Sequence, residues 1–306
     1  MAADGGIRSG PLRELIRRYY GDDCRILAVR RTGGSSAYVF VVEATLRGRL
    51  LRLLGTVGRT RELMEHSAMD LGSPERLVFP YERLMLASLA LVAEPKSILL
   101  LGLGGGAMCR HLDAYLPGAS VSAVERDAAV IAFAREFFHI DRKIVRADAE
   151  EVVADARGAF DVVMVDLYDA GGGAALGERF WQDCVAALRP GGCVAINWAG
   201  GWTGADIDGT PRQRIARVMP QLAGSFLVAE RGPRGNIVQL APTAPDFRPS
   251  SLGAQLRAFA ARLGLPREDR DILQRCDVSR RYPARGQGAK LAGAGERGGK
   301  RGRRMA

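Results

Sequence analysis

The sequence predicts an α/β fold: a doubly wound, mostly parallel sheet preceded by a small antiparallel β domain. Three observations lead there. From Pro80 onward, short apolar segments alternate with stretches of helical periodicity. The apolar segments, such as Ile98-Leu99-Leu100-Leu101 and Val162-Val163-Met164-Val165, are hydrophobic at every position, as strands buried on both faces of a parallel sheet must be. Before Pro80, short stretches rich in Val, Ile, Leu, Phe and Tyr are separated by Gly-Gly-Ser-Ser and by Arg-Gly, with no helix between them.

In chain order, Leu12 to Tyr20 places Leu, Ile and Tyr at helical spacing among charges, an amphipathic opening helix. Strands follow at Arg25 to Arg30, Ala37 to Glu43 and Arg49 to Leu54. The alternating part begins with a helix from Tyr81 to Leu91 and a strand from Ser97 to Leu101. It continues with helix Ala107 to Leu116, strand Ser120 to Val124, helix Ala128 to Phe137, strand Lys143 to Arg146 and helix Ala149 to Asp155. Strand Phe160 to Val165, helix Arg179 to Leu188 and strand Gly192 to Asn197 complete the regular pattern. Beyond Trp198 it weakens to a helix from Arg212 to Leu222, strands Phe226 to Glu230 and Asn236 to Leu240, and a helix from Leu252 to Leu263. The expected division is residues 1–76 for the helix and small β domain, 77–278 for the α/β domain, and 279–306 for a basic tail.

Composition excludes several classes. At 47% hydrophobic and 25% charged, with no run near the roughly 20 apolar residues that a bilayer span needs, no membrane segment is expected. Charges occupy the N-terminal stretch where a signal peptide would be apolar, so a cytoplasmic location is expected. Cys24, Cys109, Cys184, Cys193 and Cys276 form no C-x-x-C pair, which argues against zinc and against a disulfide framework. His66, His111 and His139 are scattered and near no acid cluster, so no metal is expected. The net charge of +10 is concentrated in Ser279 to Ala306, which holds nine Lys or Arg and one Glu. That Gly- and Ala-rich tail lacks the apolar surface to offset its ordering entropy, and disorder is expected. A solubilising extension is the plainer reading of it; contact with nucleic acid by bulk electrostatics is the other.

The chemistry lies at strand ends, where open parallel sheets hold their ligands. After Leu101 the chain reads Gly102-Leu103-Gly104-Gly105-Gly106 and enters a helix, which lets backbone N–H groups approach a ligand closely. Glu125 follows Gly106 by 19 residues and closes the next strand, where a carboxylate accepts from both hydroxyls of a ribose. A turn and an acid so placed also describe a nicotinamide-cofactor domain; the segments downstream favour a sulfonium nucleoside. These are Asp148-Ala149 after the third strand, where Asp148 can accept from an adenine amino group or cap the following helix, Asp166 after the fourth, and Leu188-Arg189-Pro190-Gly191-Gly192.

That order of acids and turns resembles the class I S-adenosylmethionine-dependent methyltransferase-like superfamily, a Rossmann-like fold. Within it, Phe79-Pro80-Tyr81-Glu82, Gly102 to Gly106, Val124-Glu125, Asp148-Ala149 and Asp166-Leu167-Tyr168-Asp169 resemble the spermidine synthase-like (polyamine aminopropyltransferase) family, over roughly Leu77 to Asn197. The resemblance implies polyamine biosynthesis: transfer of an aminopropyl group to an amine such as putrescine. It implies Asp166 as the catalytic acid, with Asp169 and Tyr81 beside it, and Glu82, where the family usually has Gln, and Tyr168 against the amine. Gly102, Gly104, Gly105, Gly106, Glu125, Asp148 and Ala149 would hold the nucleoside. A homo-oligomer, a dimer, is expected. Ala107 stands where the family has an Asp that holds the aminopropyl arm. Both S-adenosylmethionine and its decarboxylated form therefore remain as co-substrates, and a methyltransferase or a non-catalytic nucleoside-binding homologue remain as alternatives. Trp198, Trp202 and Tyr168 are candidates either for the wall of an acceptor pocket or for aromatic core packing, and Cys109 for packing.

Overall fold

The computed structural model describes residues 10–32, 38–58, 61–167, 176–198, 218, 220, 222, 224–229, 236–245 and 247–279. Tyr168, Asp169 and Trp202, most of the expected helix from Arg212 to Leu222, and the tail beyond Ser279 lie outside them.

Helix α1 (Gly10–Tyr20) is followed by four antiparallel strands in sequential order, β1 (Arg25–Arg31), β2 (Tyr38–Leu46), β3 (Arg49–Val57) and β4 (Leu63–Asp70). Alternation along β2 explains the sheet's position. Phe40, Val42 and Ala44 pack with Ile16 and Tyr20 of α1, whereas Val39 and Val41 join the core of the α/β part. A sheet covered on both faces keeps few polar positions, which is why β2 reads as a nearly unbroken apolar run.

The second part contains α2 (Pro80–Met85), α3 (Ala87–Ala90), β5 (Ser97–Leu101), α4 (Ala107–Tyr115), β6 (Ser120–Val124), α5 (Ala128–Phe138), β7 (Ile144–Val145) and α6 (Ala149–Asp155). It continues with β8 (Phe160–Val165), α7 (Glu178–Ala186), β9 (Leu188–Trp198), β10 (Phe226–Ala229), β11 (Ile237–Pro242), α8 (Leu252–Leu263), α9 (Arg267–Arg275) and β12 (Asp277–Ser279). Its eight strands are ordered β12-β10-β11-β9-β8-β5-β6-β7. The five from β9 to β7 pair in parallel, and β10, β11 and β12 add antiparallel pairs. Successive residues of β5 and β8 alternate between two cores: Ile98, Leu100, Val162 and Met164 face α4, α5 and α8, and Leu99, Leu101, Val163 and Val165 face α6 and α7. The sheet is thus doubly wound. Because the chain leaves β5 toward β6 and β7 and returns on the opposite side at β8, the switch in winding falls between β5 and β8, and a crevice opens at their carboxyl ends.

Several elements differ from expectation. The helix from Tyr81 is two short helices, because bonds from Leu86 N–H to Arg83 O and from Leu89 N–H to Leu86 O tighten the chain at Leu86 to i→i+3 spacing. The third parallel strand shortens to Ile144–Val145, with Lys143 and Arg146 exposed. Strand β9 begins at Leu188, where Phe160 pairs with it, rather than at Gly192. Strand β4, helix α9 and strand β12 were not expected. Among the described residues no helix is long and apolar enough to cross a membrane.

Candidate active site

The parallel register brings the strand ends together. Leu101 pairs with Val124 on one side and Val165 on the other, and Val165 pairs with Ile196. Gly102, Glu125, Asp166 and Asn197, each the next residue on its strand, therefore line one edge of the sheet at the winding switch. Backbone bonds extend the pairing past the strands: Gly102 N–H donates to Val124 O at 3.0 Å, and Asp166 N–H to Leu101 O at 2.9 Å.

Gly102 has to be glycine here. Its φ is +99°, and a Cβ would stand 2.2 Å from the carbonyl oxygen of Asp166. The remaining glycines are constrained from behind the turn. A Cβ on Gly105 would meet Phe138 and Ser67 Oγ at 2.9 Å, and one on Gly106 would meet Ile140 at 2.4 Å. The sequence reading reserves these glycines for the approach of a ligand; they are also what lets β4 of the small sheet and the end of α5 close on the turn. On the other side, the N–H groups of Gly104 and Gly105 have no hydrogen-bond partner among the described residues. They precede the first turn of α4, an arrangement suited to an acceptor-bearing ligand.

Glu125 leans over this turn. Its carboxylate accepts from Leu103 N–H at 3.4 Å and from Asp127 N–H at 2.9 Å, while burial raises its pKa from the ordinary glutamate value. Asp148 occupies the position before α6, but its side chain makes no cap. It is exposed and lies 3.5 Å from Arg126, the residue after Glu125. Ala149, next to it, is buried.

Asp166 is the most constrained carboxylate of the group. Tyr81 Oη donates to its Oδ2 at 3.2 Å, and Asn197 Nδ2 donates to its Oδ1 at 2.7 Å. Burial pushes its pKa up, and the two donors partly offset the rise. Tyr81 is raised well above the ordinary phenol value by burial and by the neighbouring Asp166 carboxylate, so it is a hydrogen-bond donor at neutral pH. Asn197 was not singled out from the sequence. Its one available signal was an amide closing an otherwise apolar strand, level with Asp166. Its Oδ1 is buried without a partner among the described residues.

Glu82 sits one residue from Tyr81 on α2, buried, its Oε2 accepting from Phe79 N–H at 3.0 Å. The loop leading to this helix is clamped by α4: Arg110 Nε donates to Pro74 O at 3.0 Å, and His111 Nδ1 lies 3.0 Å from Glu75 O. The helix is also tied to α9, where Arg83 Nε contacts Asp269 Oδ1 at 2.8 Å in a buried ion pair. Trp198 is buried against Trp181, with its indole N–H donating to Gln239 Oε1 at 3.1 Å, so it is a core residue. Cys109 is likewise fully buried.

Comparison with known proteins agrees with this architecture. Residues 79–220 match the spermine/spermidine synthase domain. A polyamine aminopropyltransferase from Chromobacterium violaceum is 36% identical over 203 residues, which cover 64% of this chain and 74% of that protein. In fold, the chain is similar to the crystal structure of a probable spermidine synthase from Corynebacterium glutamicum, with a TM-score of 0.62 and 20% identity over 92% of this chain and all of that one. It is also similar to a spermidine synthase crystallised with the transition-state analogue AdoDATO, with a TM-score of 0.55 and 20% identity over 81% of this chain and 88% of that one. A carboxylate held by a tyrosine and an amide at the winding switch of a doubly wound sheet, the matching domain and the extent of the identity lead to one conclusion: this chain belongs to the spermidine synthase family of polyamine aminopropyltransferases.

Proposed function

We propose that this protein transfers an aminopropyl group from decarboxylated S-adenosylmethionine to a small amine such as putrescine. The observation that carries the reading is Asp166, fixed by Tyr81 and Asn197 beside the glycine turn. In the reaction the amine nitrogen attacks the methylene carbon next to the sulfonium, a C–N bond forms, and the C–S bond breaks with its electron pair going to sulfur. A neutral thioether, 5′-methylthioadenosine, leaves. A free amine is mostly protonated near neutral pH, with pKa about 10 by analogy to lysine, so a base has to accept its proton. Asp166 is that base. Its two donors orient the carboxylate, and its burial raises its basicity toward the task.

The nucleoside is held by the N–H groups of Gly104 and Gly105 and by Glu125, whose carboxylate reaches the turn and can rotate onto the ribose hydroxyls. Asp148 and Ala149 face the base, with Asp148 free to leave its exposed contact with Arg126. Tyr168 and Asp169 complete the amine side, and Glu82 faces the amines from α2. The division at residues 76 and 278, a dimer and a cytoplasmic site of action belong to the same reading.

The test is direct. Purified protein with decarboxylated S-adenosylmethionine and putrescine should yield spermidine and 5′-methylthioadenosine in equal amounts. A methylated acceptor formed from S-adenosylmethionine, with no spermidine from the decarboxylated donor, would replace the proposal with methyl transfer.

A further inference from the structure

Six acidic side chains are buried among the described residues: Glu43, Asp70, Glu82, Asp161, Asp183 and Asp269. Five of them have an arginine within ion-pair distance. Glu43 has Arg25 and Arg52, Asp70 has Arg49 and Arg76, Asp161 has Arg189, Asp183 has Arg157 and Arg179, and Asp269 has Arg83. Glu82, only 5% exposed, has none among the described residues, and its single hydrogen bond is the one from Phe79 N–H. An ionised carboxylate withdrawn from water without a cation is costly, so such a group either holds a proton or awaits a positive partner.

No cation among the described residues comes within ion-pair distance of it. The charged groups acting on Glu82 are Asp166 at the end of β8, Arg110 on α4 and Arg83 on its own helix. Arg83 is committed to Asp269 and to Leu77 O; Arg110 spends Nε and Nη1 on the carbonyls of Pro74, Gly105 and Phe138, and its Nη2, buried without a hydrogen-bond partner among the described residues, forms no ion pair with Glu82. Helix α9, also packed on α2, brings Glu268 and Asp269, both turned to Arg83; β10 and β11 contain no charged residue. At the start of α4, Ala107 is buried and offers only a methyl group. Glu82 is therefore the buried carboxylate beside Asp166 that lacks a counter-charge, and Asp166, half-buried, already has both oxygens occupied by donors.

We propose, resting on the aminopropyltransferase reading, that Glu82 is the carboxylate that receives a substrate ammonium group, exchanging its own proton for that cation. In the empty site Glu82 is a neutral acid. When R–NH3+ arrives, the Glu82 O–H bond breaks, the proton passes to solvent, and the carboxylate pairs with the ammonium; no other bond changes. Burial, with a contribution from Asp166, raises Glu82 to about 8, against the opposing pull of the Phe79 N–H, Arg110 and Arg83. The exchange therefore falls in the range where the enzyme would work. The ammonium can come from the donor's aminopropyl arm or from the acceptor diamine, and the experiment separates the two.

Titration calorimetry in two buffers of different ionisation enthalpy reads proton release on binding. Three arms are run on the full chain: 5′-methylthioadenosine, which has no ammonium; decarboxylated S-adenosylmethionine; and putrescine added to the methylthioadenosine complex. Methylthioadenosine should release none. One cationic arm should release nearly one proton at pH 7, with affinity rising about tenfold per pH unit and levelling above pH about 8, as linkage requires. Glu82→Gln keeps an acceptor for Phe79 N–H and should bind methylthioadenosine as the parent does, yet show no release and a flat pH dependence. Asp166→Asn should retain the release. Binding of both cations without release, or equal release from Glu82→Gln, overturns the assignment and leaves aminopropyl transfer standing. Proton release without spermidine formation overturns the transfer reading alone, and failure to bind either cation overturns both.

Discussion

Tyr81 and Asp166, 85 residues apart in sequence, meet at 3.2 Å through a phenol-to-carboxylate hydrogen bond that joins α2 to the end of β8. Asp166→Asn keeps an acceptor for Tyr81 but cannot take a proton. Steady-state kinetics should show kcat reduced by about 10²- to 10⁴-fold, with 5′-methylthioadenosine binding unchanged. A variant with parental turnover would remove Asp166 from the role of base.

Tyr81→Phe deletes one of the two donors that hold the Asp166 pKa down. The base must be ionised to act, so activity falls as pH drops through its pKa. Removing a donor raises that pKa further, and the acid limb of kcat/KM against pH should move to higher pH. At the optimum the rate should fall by roughly fivefold to tenfold, the equivalent of one hydrogen bond.

Gly102→Ala places a Cβ against the Asp166 carbonyl at a backbone conformation alanine resists. Denaturant unfolding should show a loss of about 2 to 4 kcal/mol. Gly118, with nothing within 4 Å of its would-be Cβ, is the control, and Gly118→Ala should stay within about 0.5 kcal/mol of the parent.

Arg83→Met strands Asp269, a carboxylate that is 1% exposed and whose Oδ2 already lacks a partner among the described residues. The expected cost is about 3 to 5 kcal/mol, measured by urea unfolding, and a double replacement with Asp269→Leu should recover most of it. If the single variant unfolds like the parent, the ion pair does not tie α9 to α2.

His66 on β4 lies 2.7 Å from Thr56 through Nε2 and is held to a pKa of about 4 by burial. Its folded value is below the unfolded one, so the unfolded chain binds the extra proton first. Stability should therefore decline as pH falls from about 6.5 toward 4, by on the order of 2 kcal/mol from this group. Imidazole resonances followed by NMR provide the check: a His66 titration near 6.5 would contradict it.

The central strands β5, β6 and β8 could be read from the sequence to the residue, because each closes on apolar residues stopped by glycine or a charge. Strand β4 could not, since Leu63-Met64-Glu65-His66-Ser67 mixes polar groups into a strand buried chiefly at its far end. Helix α9 was hidden for another reason: it buries Leu273 and Asp269, and an aspartate counts as a core residue only once Arg83 stands opposite. In the site, Gly102, Glu125 and Asp166 were legible as strand ends bearing glycine or acid. Asn197 was not, because an amide acquires meaning only from what it faces. Tyr168 and Asp169 fall outside the described residues, and their assignment rests on resemblance alone.

The Asp166–Asn197 contact spans two adjacent strands whose last pair is Val165 with Ile196. Side chains on a strand alternate between faces, so a slip of one residue between β8 and β9 would turn the amide to the wrong side of the sheet while leaving backbone ladder and hydrophobic content nearly intact. The alignment that fills the two cores also aims the reactive carboxylate. Redesign of buried β9 positions should accordingly be judged by turnover as well as by melting temperature, since a mispaired variant could stay folded yet be catalytically silent.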